Sequence, residues 1–535
     1  MRRKIISRFL AIALLGLYQW NLIGFAVEKD QRPNILLIMV DDMGFSDIGC
    51  YGGEVDTPNL NRLAAGGLRF TQFYNTGRCW PTRAALMTGR YPHDVGHAMM
   101  YGADAPRAYQ STSKERALMI QERLKPLGYR TYHVGKWHLH SRQRGPAGAS
   151  SWPLGRGFDR SYCVKSQNNF FNPNVMLDEH FTVKRPGNED PDYYITRAFT
   201  DRAIHYLDEH QTYHREKPFF LYLAHTAPHF PLHALAEDVA RFRERYRVGW
   251  DVIRRQRLAR MKKIGILNAK LSDRDPDAVA WDSLSDEEKD EWSGRMAVHA
   301  AMIYRIDVGI GRIVKKLQAM KALDNTLILF LSDNGASAEY ILRGDGHDPK
   351  APLGSGETYR CLEVGWANAA NTPFRYHKIW VHEGGTSTPL IASWPTGMKA
   401  KGKLTSELGH VIDVLPTVME LAGGEVKEEV SGHSLVPIFR GEENVDSERT
   451  IFWEHQGNRA IRQGDWKLVA VDGGPWEMYN LGEDRSETKN LIEVETARAE
   501  EMKMNWQLWA KDQGVVPWEN LKKWRPIYSK DYRMK

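Results

Sequence analysis

Three short, mainly apolar runs, each followed at once by polar residues, constrain the fold of this 535-residue chain most strongly. They cover residues 34–40, 218–224 and 326–331. Runs of this length without polar alternation are typical of strands buried on both faces of a parallel sheet. Ligands bind at the carboxyl edge of such sheets, so we expect a functional site where the runs end. The polar residues that follow them are Asp41 and Asp42, His225 and His229, and Ser332, Asp333 and Asn334.

Helical patterns alternate with these strands and indicate one large α/β domain. The clearest helical stretches are residues 196–210 and 294–320. With 42% hydrophobic residues the chain can build a large core, and its length is too great for one small domain. We therefore predict a large, mixed but mostly parallel sheet sandwiched by helices over residues 32–440.

A smaller unit is predicted over residues 441–535, where the pattern shifts to short strands. A helical stretch at 493–513 follows these strands. This order favours a small antiparallel sheet covered by one helix. The predicted strands are residues 450–454, 459–462, 466–471 and 476–480.

The first 27 residues have the composition of a secretory signal peptide. A basic start at Arg2, Arg3 and Lys4 precedes an apolar stretch, and small residues around Gly24 and Ala26 suit cleavage. An uncleaved anchor is the alternative, because the apolar stretch approaches membrane-spanning length. No other segment of the sequence is apolar enough to span a membrane. We expect an exported protein, periplasmic or extracellular, with no stable membrane association.

The charge balance gives little support for a nucleic-acid-binding protein. The formal net charge is +6, with 73 Lys and Arg against 67 Asp and Glu, and no RNA- or DNA-binding motif is present. Residues 241–263 are strongly basic and residues 282–291 are acidic. Such charge runs are usually solvated helical faces. The alternative is that some of these arginines line an anion-binding cleft.

A cysteine motif at residues 79–89 carries the strongest functional signal. It contains Cys79, Pro81, Arg83, Thr88 and Gly89 in the pattern C-x-P-x-R-x-x-x-T-G. This pattern resembles the signature of the type I sulfatases, a family within the alkaline phosphatase superfamily. The resemblance implies that a formylglycine-generating enzyme oxidises the cysteine to formylglycine (3-oxoalanine). The alternative is a buried structural cysteine before a helix. Three other cysteines remain, which allow at most one disulfide.

The acidic pairs after two of the apolar runs resemble the metal-binding pairs of the same family. The implied ligands are Asp41, Asp42, Asp333, Asn334 and the oxygen made from Cys79. Hard divalent cations prefer such an all-oxygen site. We expect one Ca²⁺ per chain rather than Mg²⁺, because several carboxylates would crowd a small octahedral ion.

Four further blocks resemble family motifs and imply catalytic or substrate-binding residues. Lys136 and His138 lie in a Gly-Lys-Trp-His-Leu block, where alternation on an extended segment directs both side chains to one side. His229 lies in Pro-His-Phe-Pro, and Lys378 ends the block that starts at Asn371. Lysine and histidine stabilise negative charge and transfer protons. With Arg83 from the cysteine motif and Cys79 itself, these residues form the implied catalytic set.

The resemblance covers residues 32–518 and is strongest to bacterial arylsulfatases. It implies the alkaline-phosphatase-like fold and hydrolysis of sulfate monoesters, either aryl sulfates or sulfated carbohydrates. One alternative is a phosphonate monoester or phosphodiester hydrolase of the same superfamily, and another is a non-catalytic homologue that binds sulfated glycans. The candidates for the pocket that holds the alcohol group are His140, His233, Trp366, Asn368, Arg375 and Arg459.

Overall fold

The structure is a computed structural model. It describes residues 32–102, 104–111, 117–141, 148, 150–166, 169–341, 347–426, 430–443 and 445–524. The predicted signal peptide, residues 1–27, lies outside these ranges. Within them, no helix combines the length and apolar character that crossing a membrane requires.

The strands of the described residues form two separate sheets. In chain order they are β1 Asn34–Val40, β2 Leu68–Tyr74, β3 Arg130–Lys136, β4 Arg160–Ser166, β5 Val175–Asp178, β6 Phe181–Lys184, β7 Phe219–Ala224, β8 Thr326–Ser332, β9 Ser387–Ser393, β10 Lys403–Thr405, β11 Gly409–His410, β12 Thr450–His455, β13 Asn458–Gln463, β14 Trp466–Ala470 and β15 Glu477–Asn480. The large sheet has the order β10-β2-β9-β8-β1-β7-β3-β4-β5-β6, with β11 also paired to β2. The small sheet has the order β12-β13-β14-β15.

The three apolar runs are neighbouring strands at the centre of the large sheet. β1 pairs in parallel with β7 on one side and β8 on the other, so that Leu37 lies opposite both Tyr222 and Leu329. β3 continues the parallel set beyond β7, and β4 follows it. β9 runs antiparallel to both β2 and β8, and β5 is antiparallel to β4. The prediction of a mixed, mostly parallel sheet is therefore confirmed.

Helices cover both faces of the large sheet. Side chains of β1 alternate between two apolar cores, with Leu36 and Ile38 in one and Leu37 and Met39 in the other. This division explains why the strand is apolar throughout. The helices of the described residues are α1 Pro58–Gly66, α2 Cys79–Thr88, α3 Ile120–Leu124, α4 Ile195–Tyr213, α5 Ala236–Phe242, α6 Trp250–Lys263, α7 Asp286–Ala319, α8 Glu363–Ala370, α9 Glu383–Thr386, α10 Val414–Leu421, α11 Val436–Phe439, α12 Thr496–Asp512 and α13 Trp518–Leu521.

The acidic segment 282–291 forms the start of α7, so this helix begins eight residues before the predicted Gly294. The Ser285 hydroxyl accepts a hydrogen bond from the Glu288 backbone N–H, and the Glu288 carboxylate accepts one from the Ser285 N–H. This capping box satisfies two free donors at the helix start. Acidic residues in the first turn also interact favourably with the helix dipole.

The basic segment 241–263 spans the end of α5 and all of α6, and part of it is buried. Arg257 is fully buried and forms ion pairs with Asp47 at 2.7 Å and Glu54 at 2.6 Å. Arg254 is also buried and donates to the Ser272 carbonyl oxygen at 2.8 Å. The expectation of a solvated charged face is wrong for these two arginines, because α6 directs their side chains into the interior of the large domain.

The small sheet is antiparallel throughout and α12 packs against it, as predicted. A buried set of charged residues joins this sheet to the large domain. Lys467 of β14 lies 2.8 Å from the Glu383 carboxylate and 3.0 Å from that of Glu487, and Arg485 lies 2.8 Å from Glu383. We call these four residues the seam. The two positive and two negative charges of the seam compensate one another where the small sheet meets the large domain.

Candidate active site

The carboxyl ends of β1 and β8 bring the two acidic pairs together. Asp41 and Asp42 follow β1, while Asp333 and Asn334 follow β8, and all four are buried. The Asp42 backbone N–H donates to Asp333 Oδ1 at 3.3 Å, and Asn334 Nδ2 donates to Asp42 Oδ1 at 2.7 Å. Asp42 has a φ of 66°, an uncommon conformation that turns the chain sharply at the strand end.

This cluster has the properties of a cation site. Ligand atoms of Asp41, Cys79 and Asp333 all lie within 4.8 Å of one another. Asp41 Oδ1 and Asn334 Oδ1 are buried and have no hydrogen-bond partner among the described residues. Buried oxygens without partners are costly unless a ligand or ion occupies the space beside them. The residues present therefore fit a bound hard cation.

The charges in the cluster compete strongly. Burial raises the pKa of Asp41, but Lys136, His229 and Arg83 outweigh it and hold that pKa well below its usual value. Burial and the negative charge of Asp41 raise the pKa of Asp333. Carboxylates this close cannot all ionise cheaply without added positive charge. The same crowding favours a divalent cation between them.

Cys79 is the first residue of α2 and its side chain points to the acidic cluster. It is only 3% exposed, and burial raises the pKa of its thiol although Lys136 and Lys378 oppose the effect. One turn later, Arg83 donates to Asp333 Oδ2 from Nε at 3.0 Å and from Nη2 at 2.7 Å. Arg83 therefore ties the cysteine helix to β8. A protonated thiol is a poor nucleophile, so unmodified Cys79 is badly suited to attack.

Lys136 ends β3, and His138 follows two residues later with a φ of 59°, outside the extended conformation on which the predicted alternation depended. Lys136 Nζ lies 2.5 Å from Asp41 Oδ2. Both side chains are half-buried, whereas the intervening Trp137 is fully buried. Burial and the charges of Lys136 and Arg83 hold the pKa of His138 well below its usual value. His138 is therefore neutral at neutral pH and is able to accept a proton.

Lys378 and His229 meet at the other acidic residue, Asp42. Lys378 Nζ lies 2.9 Å from the Asp42 carboxylate, and His229 Nε2 lies 3.6 Å from it. Burial lowers the pKa of His229 to about 4, although Asp42 opposes the shift. Burial lowers the pKa of Lys378 as well, but Asp42 and Glu339 raise it more. The site thus combines a charged lysine with a neutral histidine.

Two family models match this chain. One, described as Sulfatase, matches residues 33–424, and a second, described as N-sulphoglucosamine sulphohydrolase, C-terminal, matches residues 374–513. The chain belongs to the sulfatase family. It is therefore a sulfuric ester hydrolase, as the cysteine motif and the acidic pairs indicated.

Individual relatives agree with this assignment. The sulfatase is 32% identical to an uncharacterized sulfatase of Schizosaccharomyces pombe, over 91% of this chain and 95% of the relative. It is 31% identical to an arylsulfatase of Klebsiella aerogenes, over 82% of this chain and 96% of the relative. It is also similar to the solved structure of Ps i-CgsB in complex with k-i-k-neocarrahexaose. That match has a TM-score of 0.68 and 26% identity and covers 94% of this chain and 100% of the other.

The sulfatase site contains an ion-pair chain that the sequence did not predict. Arg78 Nη2 lies 2.8 Å from Glu339 Oε1, and Glu339 Oε2 lies 2.8 Å from Lys378 Nζ. Lys378 in turn contacts Asp42. A lone arginine or glutamate is most often a surface residue, so neither residue stood out in the sequence. The position of Arg78 directly before Cys79 was the available signal.

The residues predicted to line the alcohol pocket are mostly engaged in other contacts in the sulfatase, and the prediction is wrong for Trp366 and His233, which are fully buried. Trp366 is fully buried against Trp250 and Trp281. His233 lies 2.7 Å from the Thr358 carbonyl oxygen, and Arg375 donates to the Tyr479 hydroxyl at 2.7 Å. Each is held by interior contacts that sequence alone does not reveal.

The other three candidates occupy different positions. Asn368 is buried within α8, and Arg459 lies over the Trp476 ring at 4.7 Å in the small sheet. His140 stacks on Trp152 with ring centroids 4.5 Å apart. His140 is half-buried and lies two residues beyond His138. It is therefore the candidate, among the six, that lies next to the predicted catalytic residues in the chain.

Replacing Trp366 with alanine should destabilise the sulfatase without changing substrate binding. Trp366 contacts three aromatic residues and donates from its indole nitrogen to the Trp292 carbonyl oxygen at 2.8 Å. A buried Trp→Ala change costs about 3–5 kcal/mol of unfolding free energy. Denaturant unfolding and KM for para-nitrophenyl sulfate measure the two effects. A large rise in KM with an unchanged free energy of unfolding would instead show that Trp366 contacts the substrate.

Proposed function

We propose that this sulfatase hydrolyses sulfate monoesters of carbohydrate or aryl alcohols with a formylglycine made from Cys79. The observation that carries the proposal is the position of Cys79 at the start of α2, beside two acidic pairs and within reach of lysine side chains. A buried thiol with a raised pKa offers little chemistry there. An aldehyde hydrate in its place would present oxygen to the same cluster.

The cation that we propose is Ca²⁺, held by Asp41, Asp42, Asp333, Asn334 and the formylglycine oxygen. The two unpartnered oxygens of Asp41 and Asn334 support this ligand set. Carboxylate and amide oxygens suit Ca²⁺, and Mg²⁺ would demand a stricter octahedron. When bound, a divalent cation stabilises negative charge on a sulfate oxygen and lowers the pKa of an attached hydroxyl group.

The residues of the chain have separable roles in this proposal. Arg83 holds Asp333 by two hydrogen bonds to one oxygen, which orients the carboxylate to accept the proton of the attacking hydroxyl. Lys136 and Lys378 supply fixed positive charge for the sulfate oxygens, and each is positioned by a carboxylate.

Lys378 and two histidines complete the proposed proton transfers. Lys378, protonated and buried, or His229 beside it when protonated, gives a proton to the alcohol oxygen as the S–O bond breaks. His138 is neutral and takes the proton of the second hydroxyl of the sulfated hydrate. That oxygen then re-forms the aldehyde C=O bond while the C–O bond to the sulfate group breaks and sulfate leaves. His138 Nδ1 is buried and has no hydrogen-bond partner among the described residues, so this atom is available to accept the hydroxyl proton.

The names of the relatives support a proposal for the substrate class. The relatives include an arylsulfatase of Klebsiella aerogenes and an N-acetylgalactosamine-6-sulfatase of Mus musculus, the latter 29% identical over 92% of this chain and 81% of the relative. The solved structure of Ps i-CgsB holds a carrahexaose. We favour a sulfated carbohydrate over a simple aryl sulfate because these names point to sugars more often.

Maturation and location belong to the same proposal. A formylglycine-generating enzyme would modify Cys79, and the signal-peptide pattern of residues 1–27 supports export to the periplasm or the extracellular space. We place the catalytic domain at residues 32–440 and the small subdomain at 441–535. The seam lies at the contact between these two units.

Turnover of matched esters, with and without a chelator, tests the proposal. The chain is produced with a formylglycine-generating enzyme, and conversion of Cys79 is verified by mass spectrometry. Para-nitrophenyl sulfate should be hydrolysed faster than the matching phosphate and phosphonate esters. EDTA should lower turnover at least about 10²-fold, because the cation stabilises transition-state charge, and Ca²⁺ should restore it better than Mg²⁺.

The contrary outcomes separate the alternatives. Faster hydrolysis of a phosphonate monoester or phosphodiester would overturn the sulfate assignment while retaining the site. No turnover of any aryl or sugar ester by fully converted protein would favour a non-catalytic glycan-binding role. Activity that resists prolonged chelation would remove the cation from the proposal.

A further inference from the structure

His455, at the end of β12, comes from the small sheet to the catalytic edge. Its ring lies 5.8 Å from the ring of Trp80, the residue that directly follows Cys79. The Trp80 ring in turn lies 5.6 Å from the ring of His138. His455 is buried, and its Nε2 atom has no hydrogen-bond partner among the described residues. A buried polar atom without a partner beside an active site points to a ligand that supplies one.

The ion-pair chain described above lies close to His455. Arg78 extends over the Trp80 ring, with its guanidinium carbon 4.8 Å from the ring centroid. Arg78, Glu339 and Lys378 are all near enough to shift the pKa of His455. Arg78, Trp80 and Glu339 each keep 6–9% of their surface exposed, and Arg78 and Trp80 are the two residues that flank Cys79 in the chain.

The charges of this group cancel one another. Positive and negative charges alternate in this series of ion pairs, and each cation has a carboxylate partner within 2.9 Å. The order is Arg78, Glu339, Lys378 and Asp42. His455 is uncharged at neutral pH, because burial and the charge of Arg78 lower its pKa well below the usual value. A second anionic group on the substrate would meet compensated cations and the Glu339 carboxylate. Hydroxyl groups, which both donate and accept, match these partners better.

We propose that His455, Trp80 and the Arg78–Glu339 ion pair form a subsite for hydroxyl groups on the alcohol part of the substrate, and that it selects monosulfated, otherwise uncharged carbohydrates. This inference rests on the proposed function, because it names the alcohol that the same site accepts. His455 Nε2 forms a hydrogen bond with one sugar hydroxyl. Trp80, which is 9% exposed and carries Arg78 over its ring, forms an apolar side of the subsite next to His455.

The chemistry of the four residues distinguishes this ligand from the alternatives. A plain aryl alcohol would leave His455 Nε2 unpartnered, which is costly for a buried nitrogen. A second sulfate group at this position would face the Glu339 carboxylate, whose negative charge repels it, while the Arg78 charge beside it is already compensated at 2.8 Å. A ring that carries several hydroxyl groups satisfies the nitrogen and the ion pair together.

A selectivity ratio measures the subsite independently of the catalytic step. The converted protein is assayed with para-nitrophenyl sulfate and with a panel of monosulfated sugars that includes galactose 4-sulfate, galactose 6-sulfate and N-acetylglucosamine 6-sulfate. The readout is kcat/KM for the best sugar divided by kcat/KM for the aryl sulfate. His455→Ala should lower this ratio about tenfold, the factor that one lost hydrogen bond accounts for.

Two further variants separate recognition from a structural role. His455→Gln should restore much of the ratio, because a glutamine amide can reach the position of Nε2 and still form the hydrogen bond. His433→Ala is the matched control. His433 lies 2.6 Å from Asp446, and its side chain is 61% exposed, so the ratio should not change. A purely structural loss at position 455 would lower both kcat/KM values together.

Several results would overturn the subsite. If the ratio is unchanged in His455→Ala, or does not recover in His455→Gln, His455 does not form the proposed hydrogen bond with the sugar. The proposed ligand class, a monosulfated and otherwise uncharged carbohydrate, is wrong if the enzyme prefers a disulfated to a monosulfated sugar. It is also wrong if the enzyme hydrolyses the aryl sulfate but none of the sugars in the panel. Each of these leaves the sulfatase reaction intact, whereas failure of the proposed function is a converted protein that hydrolyses no sulfate ester at all.

Discussion

Changing Cys79 to alanine is expected to abolish turnover, with a loss of about 10⁴-fold or more in kcat. The side chain is buried at the start of α2, among the ligand atoms of Asp41 and Asp333. Alanine removes both the proposed nucleophile and one cation ligand, and loss of a nucleophile is among the largest single effects on an enzyme. Initial rates with para-nitrophenyl sulfate, measured to the limit of the uncatalysed background, give the size of the loss.

Cys50→Ala is the matched control for this experiment. Cys50 is also a buried, unpaired cysteine, but it packs in the core near α1 instead of at the carboxyl edge of the sheet. Its replacement should cost some stability and retain most of the activity. Substantial turnover by Cys79→Ala would contradict the formylglycine mechanism.

Lys378→Met is expected to lower kcat/KM by about 10²- to 10³-fold, the scale for one preorganised charge donor. It should also lower the free energy of unfolding by about 3–5 kcal/mol, because two buried carboxylates lose their cation. Lys378 lies 2.8 Å from Glu339 and 2.9 Å from Asp42, and its side chain is 1% exposed. Steady-state kinetics at 25 °C and denaturant unfolding measure the two losses separately.

Lys467→Met in the seam separates the catalytic loss from the loss of stability. Lys467 is equally buried and also contacts two carboxylates, Glu383 and Glu487, but it is not at the catalytic edge. We expect a similar loss of stability and, for the folded protein at 25 °C, a kcat/KM within a few-fold of the parent. Nearly normal kcat/KM in Lys378→Met would remove that lysine from the catalytic set.

The central strands could be predicted because burial on both faces leaves a plain signal. β7 is apolar at every position, and β1 and β8 are apolar except at the terminal residues Asn34, Thr326 and Ser332. The polar residues that follow the three strands gave the location of the site. The strands β10 and β11 were not predicted, since two or three residues carry no measurable periodicity. The start of α7 was missed for another reason. Its first two turns are acidic and polar, so only the Ser285 cap marks the boundary.

The candidate site was predictable where residues lie within motifs and not where partners come from distant segments. The sequence indicated Lys378, but not that Glu339 and Arg78 would hold it through buried ion pairs. Trp366 illustrates the opposite error, because a tryptophan predicted to line the alcohol pocket proved to be a core residue. His455 directly follows the predicted strand 450–454, yet only the pairing of β12 in the small sheet directs its ring toward Trp80.

The contact between the two sheets also constrains the order of folding. Trp453 of β12 donates from its indole nitrogen to the Asn75 carbonyl oxygen, 378 positions earlier and just before the cysteine helix. Contacts this distant in sequence form slowly, since a long loop must close before they contribute any stability. We therefore expect the seam and the contact of His455 with Trp80 to form late in folding. During refolding, recovery of enzymatic activity should then lag behind the return of helices and strands.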